Sequence, residues 1–250
     1  MTDNNEIEEL ARAARQLVQI EELFGGTYMP AERCPLPEIE TTGPTTAELS
    51  PSDKAAALSA VTEEVAACTA CALCRGRTHT VPGEGNPDAD LVFIGEGPGH
   101  DEDISGRPFV GRAGQLLTKM IAAMGLSRRD VFIANVVKCR PPGNRTPMAD
   151  EVAACWDYLC RQLQIIRPKV IVTLGNPSTK KLLDTATGIT RLRGTWQSLP
   201  EWAPGLGGIA VMPTFHPSYV LRRYDPGTRG KVWQDLQQVM AHLGLALPGK

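Results

Sequence analysis

The chain has 250 residues, of which 42% are hydrophobic, and its formal net charge is −2 at pH 7. This length is enough for one large domain, or for one domain with an appendage. The sequence contains no run of about 18 apolar residues, which argues against a membrane-spanning helix, and the acidic start MTDNNEIEEL lacks the apolar segment of a signal peptide. We therefore expect a cytoplasmic protein with no membrane partner, in a compartment that disfavours disulfides.

The charge is concentrated in an acidic N-terminal part. Residues 1–55 hold eleven acidic and four basic side chains, a net of −7, so the remainder of the chain carries +5. Apolar residues at helical spacing predict a helix over residues 5–24, and a stretch rich in Pro, Thr, Ser and Glu predicts a flexible linker over 27–53. We expect residues 1–55 to form an extension with an unknown partner and residues 56–250 to form the functional domain.

Seven cysteines suggest a metal site. They stand at positions 34, 68, 71, 74, 139, 155 and 160, and three of them form the run CTACALC. Close cysteine spacing in a reducing compartment is typical of metal binding rather than of disulfides. A CxxC pair with two distant cysteines suits either tetrahedral zinc or an iron–sulfur cluster, and the spacing alone leaves both open.

Apolar strands alternate with helices along the rest of the chain. The pattern predicts strands over residues 91–94, 131–136, 170–174 and 209–214, and helices over 114–124, 149–166, 177–183 and 230–243. It favours an α/β fold, a three-layer αβα sandwich around a four-stranded, mainly parallel sheet. Ligands of such sheets bind at the carboxyl ends of the strands, so the residues that follow each strand are the candidates for a site.

The first predicted strand is followed by a glycine-rich turn with acidic residues, GEGPGHDED at 95–103. A dinucleotide-binding turn needs a third glycine at the position of His100 and a helix that opens there. Residues 101–103 are acidic and would repel a phosphate. We instead expect the alternate glycines to let a flat, uncharged ligand approach the backbone closely.

Several motifs in a fixed order carry a family resemblance. They are the run from CTAC at residue 68 through VFIGEGPGHDED and GRPFVGRAGQLL, then NVVKCRPPGNRTP, RLRGTW and PTFHPSYVLR. From residue 68 to about 240 the chain resembles family 4 uracil-DNA glycosylases, the iron–sulfur branch of the uracil glycosylase superfamily. The resemblance implies a monomeric, nucleoid-associated base-excision repair enzyme. Its activity would be to hydrolyse the N-glycosidic bond of uracil in DNA, releasing free uracil and leaving an abasic site.

The resemblance also implies a [4Fe–4S] cluster with a structural role. It assigns the ligands Cys68, Cys71, Cys139 and Cys155. Cys74 competes with Cys68, because either one forms a CxxC with Cys71. Cys34 and Cys160 have no assigned partner.

Uracil is flat and neutral, and a glycosylase must flip it out of the helix and read its Watson–Crick edge. Asn135 ends the second predicted strand, and its amide can accept from N3–H and donate to O4, a pattern that cytosine mismatches. The resemblance places Phe109 where it can stack on the base and places Gly97 and Pro98 beside it. The alternatives are a core aromatic at 109 and an asparagine bonded to its own backbone at 135.

Three residues are candidates for the chemical step. His216 ends the last predicted strand and can donate a hydrogen bond to uracil O2 as negative charge collects there. Glu96 is expected to stabilise the sugar electrostatically and to position water, with Asn144 orienting that water and the acidic residues 101–103 as alternatives. Gly97 and Gly99 stand where family 1 has its aspartate and its thymine-excluding tyrosine, so thymine exclusion is unassigned.

Five residues are candidates for DNA contacts. Leu221 can enter the vacated base stack, and arginines near it or beside the PPGN loop can meet phosphates: Arg222, Arg223, Arg140 and Arg145. A related branch bonds covalently to DNA through a histidine in a basic insertion, which this chain lacks after Asn144, so we expect turnover. The second hypothesis is a non-catalytic, metal-stapled DNA-binding or scaffold domain, and the third is a nucleotide-binding transferase. A scaffold needs the cysteines but not polar residues at three strand ends.

Overall fold

The computed structural model of the protein describes residues 49–201, 204–223 and 225–246. The predicted helix over 5–24, most of the predicted linker and Cys34 lie outside these residues. Helix α1 spans Pro51–Ala67 and is capped by Ser50, whose Oγ accepts from the Asp53 N–H at 3.3 Å. A linker that reaches residue 53 is therefore wrong, because the helix starts before it. No helix in the described ranges is long and apolar enough to cross a membrane.

The described residues contain one six-stranded sheet, with the order β1-β3-β2-β4-β6-β5. The strands are β1 (Glu84–Gly85), β2 (Leu91–Gly95), β3 (Phe132–Asn135), β4 (Val170–Leu174), β5 (Gln197–Ser198) and β6 (Ala210–Thr214). The four long strands are parallel, as predicted. The prediction of four strands is wrong in number, because β1 and β5 pair antiparallel at the two edges. Strands of two residues carry no periodic pattern.

Seven further α-helices lie in the described ranges. They are α2 (His100–Ser105), α3 (Arg112–Ala123), α4 (Ala149–Ile166), α5 (Asn176–Leu183), α6 (Ile189–Leu192), α7 (Pro217–Arg222) and α8 (Pro226–His242). Short helix α2 was not predicted and opens at His100, directly after the glycine turn. Its first turn is closed by Glu102, whose Oε2 accepts from the Gly99 N–H at 3.1 Å.

The sheet is covered on both faces, because successive residues of a strand point to opposite sides. In β2, Val92 and Ile94 pack into a core that includes residues of α1 and α4. Leu91 and Phe93 pack into a second core with residues of α3 and α8. The predicted three-layer αβα sandwich is confirmed.

The topology opens a crevice at one edge of the sheet. The chain passes from β2 to β3 on one side and then returns to β4 on the other side of β2. Loops at the carboxyl ends of neighbouring strands diverge where the strand order reverses, and ligands bind in the gap. The residues that follow β2, β3 and β6 therefore face one space.

Candidate active site

A cavity of about 370 Å³ lies at the carboxyl ends of the parallel strands. Its walls come from the turn after β2, the end of β3, the loop before α4 and the start of α7. The lining residues include Glu96, Gly97, Pro98, Phe109, Asn135, Asn144 and His216. The structure thus brings together every residue that we predicted for catalysis or base binding.

Asn135 supplies an unpaired acceptor at the floor of the cavity. The residue is 2% exposed and ends β3. Its Oδ1 is buried and has no hydrogen-bond partner. A Cβ added to Gly95 would lie 2.4 Å from this Oδ1 and 2.5 Å from Phe109 Cζ. Gly95 is therefore required to make room for the two side chains.

Glu96 supplies a second unpaired acceptor in the same cavity. Its Oε1 is buried without a partner. Burial raises the pKa of the carboxyl group, and a side-chain hydrogen bond with Thr146 opposes that rise in pKa. A carboxylate with a free buried oxygen is suited to accept a hydrogen bond from a ligand or from water.

His216 is held as a neutral donor. It is the N-cap of α7, and the Ser218 N–H donates to His216 Nδ1 at 3.1 Å, with Ser218 Oγ 2.8 Å from the same nitrogen. Because a backbone N–H can only donate, Nδ1 is the acceptor and the ring proton is on Nε2. Burial and the charge of Arg222 lower the pKa of His216 to about 4. The imidazole is therefore uncharged at neutral pH.

Phe109 is both a core residue and a wall of the cavity. It is 6% exposed, packs into the core beside α3, and its ring centroid lies 5.8 Å from that of His216. Its φ of +53° is in the left-handed region. Gly114 permits this conformation, because a Cβ there would lie 1.9 Å from the Phe109 carbonyl. Arg128 donates to the carbonyl oxygens of Phe109 and Pro108 at 3.1 and 2.7 Å.

Glu102 joins the glycine turn to the loop that carries Phe109. Its Oε1 accepts from the N–H groups of Val110 and Gly111 at 2.9 and 3.0 Å, while Oε2 accepts from Gly99. Of the acidic residues 101–103, only Glu102 lines the cavity among the described residues. Its carboxylate is already engaged by three donors, which favours a positioning role over activation of water.

Five cysteines line a second, smaller cavity beside α1 and α4. They are Cys68, Cys71, Cys74, Cys139 and Cys155. Several N–H groups point at their sulfurs: Lys138 N–H lies 3.2 Å from Cys155 Sγ, and Arg77 Nη1 lies 3.3 Å from Cys139 Sγ. Burial raises the pKa of Cys155 to about 11 and also raises the pKa of Cys71 and Cys139.

The spacing of these cysteines does not suit one metal ion. Within the described ranges, no group of three or more His, Cys, Asp or Glu residues is arranged to hold a single ion. Zinc with Zn–S bonds of about 2.3 Å would bring its sulfurs to roughly 3.8 Å from one another. An iron–sulfur cluster is held by cysteine thiolates on several irons, so its ligands need not converge on one point.

Comparison with known proteins agrees with the geometry. A family model described as the Uracil DNA glycosylase superfamily matches residues 82–237. A Type-4 uracil-DNA glycosylase of Thermotoga maritima is 49% identical over 184 residues, covering 73% of this chain and 93% of that protein. Proteins of the same description from Sulfurisphaera tokodaii and Archaeoglobus fulgidus are 48% and 45% identical, covering 73% and 72% of this chain and 83% and 89% of those proteins. The chain belongs to the type 4 uracil-DNA glycosylases.

Two arginines predicted to contact DNA are engaged inside the glycosylase. Arg145 forms a bidentate ion pair with the fully buried carboxylate of Glu151. Its Nη1 donates to Oε2 at 2.8 Å and its Nη2 to Oε1 at 2.6 Å. Arg140 Nε donates to Asn144 Oδ1 at 2.7 Å, and its Nη1 lies 3.0 Å from His100 Nδ1.

The residues of α7 are arranged differently. Arg222 and Arg223 are exposed at the end of this helix, and Arg222 lines the active-site cavity. Leu221 is half-buried, so it would have to extend further to enter a base stack. Sequence reasoning missed the contacts that Glu102, Arg128 and Arg140 make with the loops around the cavity. Each of these residues acts on a loop backbone or side chain whose conformation no spacing pattern encodes.

Proposed function

We propose that this protein hydrolyses the N-glycosidic bond of uracil in DNA at the cavity described above. Membership of the type 4 family makes it a DNA-repair hydrolase that acts on N-glycosyl bonds. The observation that carries the assignment of the site is the pair of unpaired buried acceptors, Glu96 Oε1 and Asn135 Oδ1. Buried polar atoms almost always have hydrogen-bond partners. Two buried acceptors without partners in one cavity therefore indicate that the substrate supplies the donors.

Base recognition is assigned to Asn135. The free Oδ1 accepts from uracil N3–H, and the amide N–H donates to O4. Cytosine has an acceptor at N3 and a donor at N4. Asn135 Oδ1 would then face another acceptor and its NH₂ another donor, so both buried groups would lack a hydrogen bond. Phe109 stacks on the base, and Gly97 and Pro98 form the wall beside it.

Departure of the base is assigned to His216. As the C1′–N1 bond breaks, negative charge collects on uracil O2. A neutral Nε2–H stabilises this oxyanion by donating a hydrogen bond, without having to transfer its proton. The contact of Ser218 with Nδ1 fixes the tautomer that this role requires.

Water attack is assigned to Glu96 and Asn144. The sugar becomes cationic at C1′, and the ionised Glu96 carboxylate stabilises that charge and accepts a hydrogen bond from the attacking water. Asn144 orients the same water from the opposite loop. We assign the stacking wedge to Leu221 and phosphate contacts to Arg222 and Arg223, the two arginines that are exposed at the end of α7.

The cysteine cavity is proposed to hold a [4Fe–4S] cluster through Cys68, Cys71, Cys139 and Cys155. The donor N–H groups around it support this, because they stabilise thiolate charge. When bound, the cluster would cross-link the end of α1 to the loop after β3 and to α4. Its role is structural, because hydrolysis of a glycosidic bond requires no electron transfer. Cys74 lines the same cavity and remains the competitor of Cys68.

We further propose a monomeric cytoplasmic enzyme in which the acidic N-terminal extension is an appendage. In support, the family model begins only at residue 82, well inside the chain. The non-catalytic scaffold is the competing proposal, and it offers no reason for two unpaired acceptors in the cavity.

The proposed function is tested by incubating purified protein with an oligonucleotide that contains one uracil. Alkali then cleaves any abasic site, and the products are separated on a gel. We expect strand cleavage at the uracil position, no cleavage of a matched oligonucleotide with thymine, and yellow-brown protein that contains iron and acid-labile sulfide. Colourless, zinc-containing protein that leaves the uracil strand intact would support the scaffold.

A further inference from the structure

Asn144 is at the mouth of the cavity with a backbone that a non-glycine residue rarely adopts. Its φ is +56°, at the end of the short 3₁₀ turn Pro142–Asn144. The side chain is exposed. An exposed amide can turn over and exchange its carbonyl and NH₂ groups, so something must select the orientation that faces the substrate.

Arg140 makes that selection. A guanidinium group has only donors, and its Nε donates to Asn144 Oδ1 at 2.7 Å. If the amide turned over, its NH₂ would meet the guanidinium N–H, donor against donor. The amide carbonyl is therefore held by Arg140, and the NH₂ is the part left for the cavity.

The same guanidinium reaches across to the glycine turn. Arg140 Nη1 lies 3.0 Å from Nδ1 of His100, the first residue of α2. Because arginine cannot accept, Nδ1 is the acceptor and the proton of a neutral His100 is on Nε2. The rigid fork of arginine can serve both partners at once, whereas a lysine ammonium is a point charge on a flexible stem.

We propose that Arg140 is a positioning residue that orients the Asn144 amide for the attacking water, instead of a phosphate contact. This inference rests on the proposed function, in which Asn144 orients that water. With its carbonyl held by Arg140, Asn144 can only donate to the water. Glu96 can only accept from it, so the two side chains together define the direction of the water's lone pair.

The test separates the chemical step from DNA binding. The variants are R140Q, R140A, R140K, N144A and the double variant R140Q/N144A. R223Q serves as a phosphate-contact comparator and exposed R129Q as a neutral control. Single-turnover excision is measured with enzyme in excess over a uracil oligonucleotide, and DNA affinity is measured as a function of salt. Iron content and melting temperature report whether each variant is folded and loaded.

We expect R140Q to slow saturated single-turnover excision by roughly tenfold to a hundredfold, the range for loss of a charge-assisted hydrogen bond. N144A should give a similar loss, and the double variant should be no slower than the worse single variant. R140K should recover part of the rate, and methylguanidinium added to R140A should recover more than it does for N144A. The salt slope of binding should remain unchanged for R140Q and fall by about one for R223Q.

Four results would overturn the proposal. A saturated R140Q rate equal to wild type, with weaker binding and a smaller salt slope, would make Arg140 a phosphate contact. Losses that multiply in the double variant would make the two residues independent. A wild-type rate for N144A would remove Asn144 from the proposed function itself, whereas a slow N144A beside a normal R140Q would remove only the role of Arg140.

Discussion

Substituting alanine for Gly95 tests the wall of the base site with a single methyl group. An ideal Cβ at this position would lie 2.4 Å from Asn135 Oδ1 and 2.5 Å from Phe109 Cζ, where ordinary contacts are 3.4–4 Å. Each side chain must therefore move by about 1 Å. Gly95 does not have a positive φ, so alanine meets no backbone strain and the effect is steric alone.

The size of the effect follows from these overlaps. Overpacking a filled site costs roughly 1–3 kcal/mol of stability. A displacement of about 1 Å in a positioning group costs on the order of 10² in rate. We expect G95A to lower the free energy of unfolding by roughly 1–3 kcal/mol. We also expect it to slow single-turnover uracil excision about a hundredfold.

The matched control is Gly230, in helix α8. A Cβ there meets nothing within 4 Å. Alanine is a better helix former than glycine, so G230A should leave excision unchanged and raise stability by about 0.5–1 kcal/mol. Both variants are measured by urea unfolding and by excision with excess enzyme. A G95A enzyme with the stability and rate of wild type would refute the placement of uracil against Asn135 and Phe109.

Three further predictions concern the catalytic and cysteine sites. H216A should slow the saturated chemical step by about 10² to 10³ with little change in DNA affinity, and a loss confined to affinity would contradict the leaving-group role. Because burial raises the pKa of Glu96, its ionised form destabilises the fold once pH rises through that pKa. E96Q should therefore raise the melting temperature at pH 7.5, and this gain should shrink as the pH is lowered. The variant should also lack the fall in rate that wild type shows at acidic pH. An unshifted melting temperature would contradict the burial of Glu96. C139S should lose colour and solubility together, while C74S should keep both. A colourless C74S beside a coloured C68S would mean that Cys74, and not Cys68, is the ligand.

The body of the fold was predictable because its signals are local. The strand over 170–174 and the helix over 149–166 have the predicted bounds. The helix begins where the Met148 N–H donates to Glu151 at 2.7 Å, a capping arrangement visible as a Glu three residues past the cap. Helix α8 starts four residues before the prediction, because residues 226–229 carry no apolar period and are marked only by the Asp225 cap and the proline that follows it.

The site was predictable to the extent that parallel strands bring their ends together. Asn135 ends one such strand and His216 follows another, so their meeting required only the strand assignments. The partners of Arg140 and Arg145 were not predictable in this way. They depend on loop conformations such as the positive φ of Asn144, and a charge in a loop gives no sign of whether it will meet DNA or a neighbouring side chain.

The central claim is that Asn135 reads uracil in this cavity, and it is tested most directly by a base-by-variant rate panel. Wild type, N135A and N135D are compared under single-turnover conditions on oligonucleotides that are identical except for one uracil or one cytosine. Iron content is measured for each variant to exclude loss of the fold. We expect wild type to excise uracil alone, N135A to be slowed at least a hundredfold on uracil, and N135D to lose uracil activity while gaining measurable release of cytosine, since a protonated carboxyl presents a different order of donor and acceptor. Uracil excision by N135A at the wild-type rate would contradict the claim.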